Sequence, residues 1–184
     1  MRLFLALDLN EEQISGLAGL QKELKKDCSR IKWVDSTSLH ITIKFLGEIE
    51  ESRINSLIRR VEFAIDKINP FMLSLEGLGF FPSNDKPRII WVGIDKGSEH
   101  VKWIWEEIEW AFQEEGFSLS QKPFTPHVTV GRIRRETKKV PVNKWIDRYR
   151  DFSLPATKID HITLYHSNLQ PQGAVYTPLQ KIIL

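Results

Sequence analysis

The chain has 184 residues, of which 41% are hydrophobic and 27% charged, and it carries a formal charge of +2. That length builds a sizeable core as one domain or two small lobes, the composition is that of an ordinary soluble globular protein, and the charge is too small to argue for nucleic acid by itself. No apolar run approaches a membrane span, and the one cysteine, Cys28, has no internal partner, which fits a reducing cytoplasm.

The opening, MRLFLALDLN, alternates with Arg2 and Asp8 and lacks a small-residue cleavage site, so it reads as a strand over Leu3–Leu9 and not as a secretion signal. Asn10 then caps a helix, with Gln13 at the third helical position as its capping-box partner. The next strand, Leu39–Phe45, lies in SLHITIKFLGE. Its alternation puts His40, Thr42 and Lys44 on one face and Ile41, Ile43 and Phe45 on the other. A helix from about Ser52 carries Ile54, Leu57, Ile58, Val61 and Ile65 at helical spacing. Strands at Phe71–Leu75 and Arg88–Ile94 follow. A helix after Ser98 then sets Val101, Trp105, Ile108 and Phe112 on one face and stops near Gly116. Its Trp103, Trp105 and Trp110 look like a base-stacking stripe, but tryptophans at helical spacing belong to a core, and they are assigned there. Strands at His127–Ile133, Lys158–Tyr165 and Val175–Ile183, with a short helix after Pro141, complete the chain. Such a mixture is α+β, with antiparallel sheets carrying helices on one side. With no linker to divide it, 1–184 reads as a single domain.

Phosphate loops of the G-x-x-x-x-G-K-[ST] type, H-E-x-x-H metal helices, G-x-S-x-G elbows and dinucleotide glycines are all missing from the sequence. What remains is a histidine pattern. H-x-T occurs at His40–Thr42, His127–Thr129 and His161–Thr163. One copy is a weak signal, because threonine favours strands. The first two share their surroundings, TSLHITIKF and FTPHVTVGR, and lie close to half the chain apart, as a duplication would leave them. The third, KIDHITLYHS, lacks the preceding turn.

Along a strand, residues two apart point the same way, about 6.6 Å from each other. One phosphate can then meet a histidine nitrogen and a threonine hydroxyl together. Two such strands face to face would supply a neutral imidazole to take a proton and an imidazolium to give one, each worth about 10²–10⁴-fold. Imidazole suits both tasks because its ordinary pKa is about 6.5. No metal is needed for that chemistry.

The paired motifs resemble the two-histidine phosphoesterase superfamily. Within it the chain is most similar to RNA 2′,3′-cyclic phosphodiesterases, also called 2′-5′ RNA ligases, through RLFLALDL, WVDSTSLHITIKFLGE, GLGFFPSNDKPRIIWVGI, PFTPHVTVGRI and LYHSNLQPQGAVYTPL. The resemblance implies a bilobal fold of two antiparallel sheets, helices on the outer faces, around a central groove with pseudo-two-fold symmetry. It implies His40 as proton donor, His127 as proton acceptor, and Thr42 and Thr129 on phosphate, with no metal or cofactor. The residues support the pair without deciding which is acid and which is base.

In that family the strand matching His161 generally carries no catalytic histidine, so His161 is assigned to the core or a sheet face, and His100 and His166 to the surface or loops. Arg132 matches an arginine of the second motif, yet strict alternation sends it away from His127. A bulge at Gly131 would re-aim it onto phosphate, and without one it is a salt-bridge residue. Phe81 is a base-stacking or core residue, and Tyr176 a packing residue. Arg88 is a groove residue or a strand-end charge. Arg134 and Arg135, in RIRRETKK with Lys138 and Lys139, either track an RNA backbone or form a solvated loop.

The expected activity is opening of 2′,3′-cyclic phosphate on RNA ends or nucleotides by a monomer, leaving a 2′-phosphate, with 2′-5′ ligation when an RNA 5′-hydroxyl replaces water. The alternatives are a phosphodiesterase for small cyclic nucleotides or ADP-ribose cyclic phosphate, and a non-catalytic RNA-binding module. A metal site of His40, His127 and His161 lacks close ligand spacing.

Overall fold

The structure, a computed structural model, describes residues 1–28, 30–134, 137, 140–170 and 173–184. Strands β1 (Arg2–Asp8), β2 (Ile31–Trp33), β3 (His40–Glu48), β4 (Phe71–Phe81), β5 (Ile89–Ile94), β6 (His127–Ile133), β7 (Ser153–Ile159), β8 (His161–Gln170) and β9 (Gly173–Ile183) are joined with helices α1 (Glu11–Asp27), α2 (Ile54–Ile65), α3 (Ser98–Gln113) and α4 (Val142–Arg148).

Alternation in β1 sends Leu3, Leu5 and Leu7 to the helix side, where they join the main core, and Phe4, Ala6 and Asp8 to the opposite face. Asn10 caps α1 as expected, its Oδ1 accepting from the Gln13 N–H at 2.9 Å. Gln13 does not reciprocate. Its buried amide donates instead to the carbonyls of Leu73 and Pro155, each at 3.0 Å, which ties α1 to β4 and β7. Leu17, Leu20 and Leu24 form the buried stripe of α1, each worth about 1.5–3 kcal/mol of burial.

All strand pairings are antiparallel, in the order β7-β4-β5-β6-β3-β1-β8-β9, with β2 beside β6. The two sheets expected are therefore one. β3 and β6 join the halves through a single pair, Ile41 with Val128. The expected strand Lys158–Tyr165 is likewise two strands, β7 and β8, broken at Asp160. Five strands separate β7 from β8 in the sheet, yet only Asp160 separates them in sequence. Such a short connection brings the two ends of the sheet close together, so the sheet curls into a half-barrel. Helices cover its outer face, and the inner face forms a groove.

Two of the three α3 tryptophans are not core. Trp103 and Trp110 are 40% and 60% exposed, because Val101, Ile104, Ile108 and Phe112 already fill the buried face. Trp103 donates to Glu107 at 3.0 Å, and half-buried Trp105 stacks on Phe124 at 4.9 Å. His166 lies within β8 and not in a loop. Among the described residues no helix is long and apolar enough to cross a membrane.

Candidate active site

Each of the first two H-x-T motifs opens a strand that carries a bulge just beyond the threonine. In β3, Lys44 and Thr42 pair with the adjacent residues Leu5 and Ala6, leaving Ile43 as the extra residue. In β6, Gly131 and Thr129 pair with Ile90 and Trp91, leaving Val130 extra. One extra residue reverses the facing of everything after it. Strict alternation therefore fails in the same way twice. Lys44, expected beside His40, turns to the helix side and pairs with buried Glu109 of α3. Phe45, expected in the core, turns to the groove and is 64% exposed. In β6 the bulge brings Arg132 back to the groove side of His127 and Thr129.

Buried polar groups hold both bulges. The Val130 carbonyl accepts from the Val34 N–H at 3.1 Å and from the Gln21 amide at 2.8 Å. The Lys44–Glu109 pair anchors the other bulge, and the second Glu109 oxygen accepts from the Ser120 N–H at 2.9 Å.

Between the two motifs lies a cleft of about 540 Å³, lined by His40, Thr42, Phe45, His127, Thr129, Arg132, Lys32, Trp33 and Tyr176 among others. That volume suits a nucleotide-sized ligand. Pairing of Ile41 with Val128 places both motifs on the groove face at the seam. The imidazoles are held alike. His40 Nδ1 donates to the Ser38 carbonyl at 2.8 Å, and His127 Nδ1 to the Thr125 carbonyl at 2.7 Å. A carbonyl only accepts, so Nδ1 carries the proton and Nε2 is the nitrogen left for chemistry. The Ser/Thr-turn ahead of each motif was the sequence signal for this bond. His40 Nε2 lies 2.9 Å from Thr42 Oγ1.

Burial holds both pKa values below the ordinary imidazole range. For His40 the Ser38 bond and the Asp8 carboxylate push back upward, while Arg132 and His127 add to the lowering. For His127 the Thr125 bond pushes upward and Arg132 downward.

Aromatic rings flank each histidine. Tyr176 meets His40 edge-on at 5.3 Å, and Phe81 meets His127 edge-on at 5.0 Å while stacking on Trp91 at 5.1 Å. Tyr176 thus belongs to the cleft wall as well as to the packing. Arg88 lines a separate depression with Lys86 and Lys144. Arg134 is exposed beyond the end of β6 and outside the cleft lining. Arg135, Lys138 and Lys139 lie outside the described residues. His161 sits between Asp160 and Asp8, at 2.7 and 3.0 Å. Residues that sequence reading missed are Lys32, Trp33, Phe45 and Asp8. Asp8 alone carried a signal, a charged residue in an otherwise apolar alternating strand. Among the described residues, no three His, Cys, Asp or Glu side chains are grouped to hold a metal ion.

A curled antiparallel sheet with two equivalent histidine strands at its centre is a phosphoesterase architecture, and the chain belongs to the LigT-like phosphoesterase family, whose model (LigT like Phosphoesterase) matches residues 7–91 and 92–176. Each matched segment supplies one of the two histidine strands, β3 and β6, and each half of the sheet draws strands from both segments. Within the family it stands with the RNA 2′,3′-cyclic phosphodiesterases. It is 32% identical over 182 residues to the protein of that name from Methanocaldococcus jannaschii, covering 98% of this chain and 99% of the relative. To the one from Thermotoga maritima it is 30% identical, covering 97% and 93%. Among solved structures, a Thermus thermophilus protein superposes with a TM-score of 0.83 at 27% identity, over 100% of this chain and 98% of the other. E. coli LigT complexed with 3′-AMP shares the fold, with a TM-score of 0.76 at 23% identity over 100% and 97%.

Proposed function

We propose that the protein opens 2′,3′-cyclic phosphate at RNA ends, with 1–184 acting as one bilobal catalytic unit. The observation that carries the reading is the matched pair of imidazoles, each fixed through Nδ1, on one cleft with two threonines and Arg132. His127 Nε2 takes a proton from water as the water oxygen attacks phosphorus. The bond from phosphorus to the 3′ oxygen breaks, and His40 Nε2 gives that oxygen its proton, leaving a 2′-phosphate. An RNA 5′-hydroxyl in place of water gives a 2′-5′ linkage by the same steps. Thr42, Thr129 and Arg132 hold the non-bridging oxygens, where charge-assisted hydrogen bonds are strongest. Phe81 offers a face for a base. Arg134, exposed beyond the end of β6, offers positive charge to an RNA backbone outside the cleft, and Arg135, next in the sequence, is assigned the same role.

Turnover should survive excess EDTA on dialysed protein and should follow a bell-shaped pH profile, because one imidazole must be neutral and the other charged. Activity falls at low pH as the base protonates and at high pH as the acid loses its proton. Since burial lowers both pKa values, the free-enzyme profile should lie on the acidic side of one given by two exposed imidazoles. The assay compares cyclic-phosphate-ended RNA with 2′,3′-cyclic mononucleotide and ADP-ribose cyclic phosphate. Preference for the small substrates would replace the RNA reading, and binding without turnover would make the protein a binding module. Activity restored only by a divalent ion would overturn the mechanism.

Arg132→Ala should lower kcat/KM by about 10–100-fold, the worth of a hydrogen bond to a charged group. It should also move both limbs of the profile to higher pH, since Arg132 lowers both histidines. Unmoved limbs would place its guanidinium away from the imidazoles.

A further inference from the structure

The two halves of the cleft differ at the residue that faces each histidine across the ladder. Across the ladder from His127 stands Gly93, whose added Cβ would lie 2.9 Å from the Glu76 carbonyl oxygen, so this arm has no room for a side chain. At the equivalent position, across from His40, stands Asp8. Its carboxylate is held on the groove face by three donors from β8. Thr163 Oγ1 lies 2.7 Å and His161 Nε2 3.0 Å from Oδ2, and Tyr165 Oη 2.8 Å from Oδ1. Thr163 is fully buried, and both carboxylate oxygens are engaged, so the carboxylate has one fixed position. The third H-x-T motif, unused by the chemistry above, is the cradle for this aspartate.

We infer that Asp8 is the positioning residue that breaks the symmetry of the pair, favouring the charged form of His40 over that of His127 and so assigning the acid to His40 and the base to His127. This rests on the two-histidine reading above. Its physical basis is that a fixed carboxylate across the ladder favours imidazolium over imidazole, and that the glycine arm offers His127 no such charge. The Asp8 carboxylate acts upward on His40 and is absent from the influences on His127. Other groups facing His40 are His127 and Arg132 from β6, Lys32 from β2, and His161 and Tyr165 from β8. Tyr176 faces it from β9, and Asp35 lines the same cleft from the turn before β3. Arg132 acts on both histidines and so cannot tell them apart.

The test is NMR titration of the ring signals of His40 and His127 in the full chain, with pH profiles of cyclic-phosphate turnover measured in parallel. In the parent, His40 should titrate above His127. In Asp8→Asn the His40 midpoint and the alkaline limb of the profile should move to lower pH, while the His127 midpoint stays. At pH 8, kcat should fall on the order of tenfold with KM within about twofold. Asp8→Glu should return the midpoint toward the parent value. Reversed order in the parent, an unmoved His40 in folded Asp8→Asn, or an equal fall in the Asn and Glu variants would overturn the assignment. The NMR titration needs no turnover, so an inactive protein with correctly ordered midpoints would sink the catalytic reading and spare the electrostatic one.

Discussion

His40→Ala and His127→Ala should each slow single-turnover opening of a cyclic phosphate by about 10²–10⁴-fold, with melting temperatures close to the parent's. Each removes one half of a coupled proton transfer. The double variant should be little worse than either single one, because concerted chemistry is already lost after the first. Thr42→Ala and Thr129→Ala should be milder, costing hydrogen bonds that strengthen as charge builds on the phosphate oxygens. His161→Ala should act mainly on the melting temperature, since it leaves the Asp8 and Asp160 carboxylates without their shared partner. If His161→Ala matched His40→Ala in rate at parental stability, the catalytic pair would be drawn from the wrong strands. If the effects of the two histidines multiplied, the two residues would not act in one step.

The largest stability effect should come from beneath the cleft. Lys44 and Glu109 are both nearly inaccessible and pair across the β3–α3 contact. Removing one partner strands a buried charge, so Lys44→Met or Glu109→Leu should each cost about 3–5 kcal/mol. In a chain of this length that is roughly 6–20 °C of melting temperature. Lys44→Met with Glu109→Leu should recover most of the loss, since an apolar pair of similar volume pays no charge desolvation. Recovery should be incomplete, because the Ser120 N–H also bonds Glu109. Thermal melts of the three variants decide the matter. A double variant as unstable as the sum of the singles would show that the pair does not act as a unit.

The two histidine strands, the helices over them and the α+β class were legible because their apolar residues recur at simple periods. The bulges were legible only in part. A period of two says which face a residue takes while the ladder is regular, and it carries no mark of where an extra residue sits. Gly131 offered a hint in β6. Ile43 offered none in β3, so Lys44 and Phe45 were placed on each other's faces. That one sheet replaced two was beyond local pattern, because Ile41 and Val128 are joined by a contact distant in sequence. Trp103 and Trp110 show that helical spacing identifies a shared face without saying which face is buried. The family was clearer than the fold because its two marks are short motifs, each complete within a few residues.

The placement of the two bulges has a bearing on ancestry. A freshly doubled chain presents identical arms to whatever enters and cannot tell the head of a ligand from its tail. Each bulge delivers one further side chain to the groove, at a position whose identity leaves the histidine and threonine before it undisturbed. On one arm that side chain is now the ring of Phe45, and on the other the guanidinium of Arg132. Different side chains at that matching position give the cavity polarity, while both strands keep the same histidine, threonine and bulge.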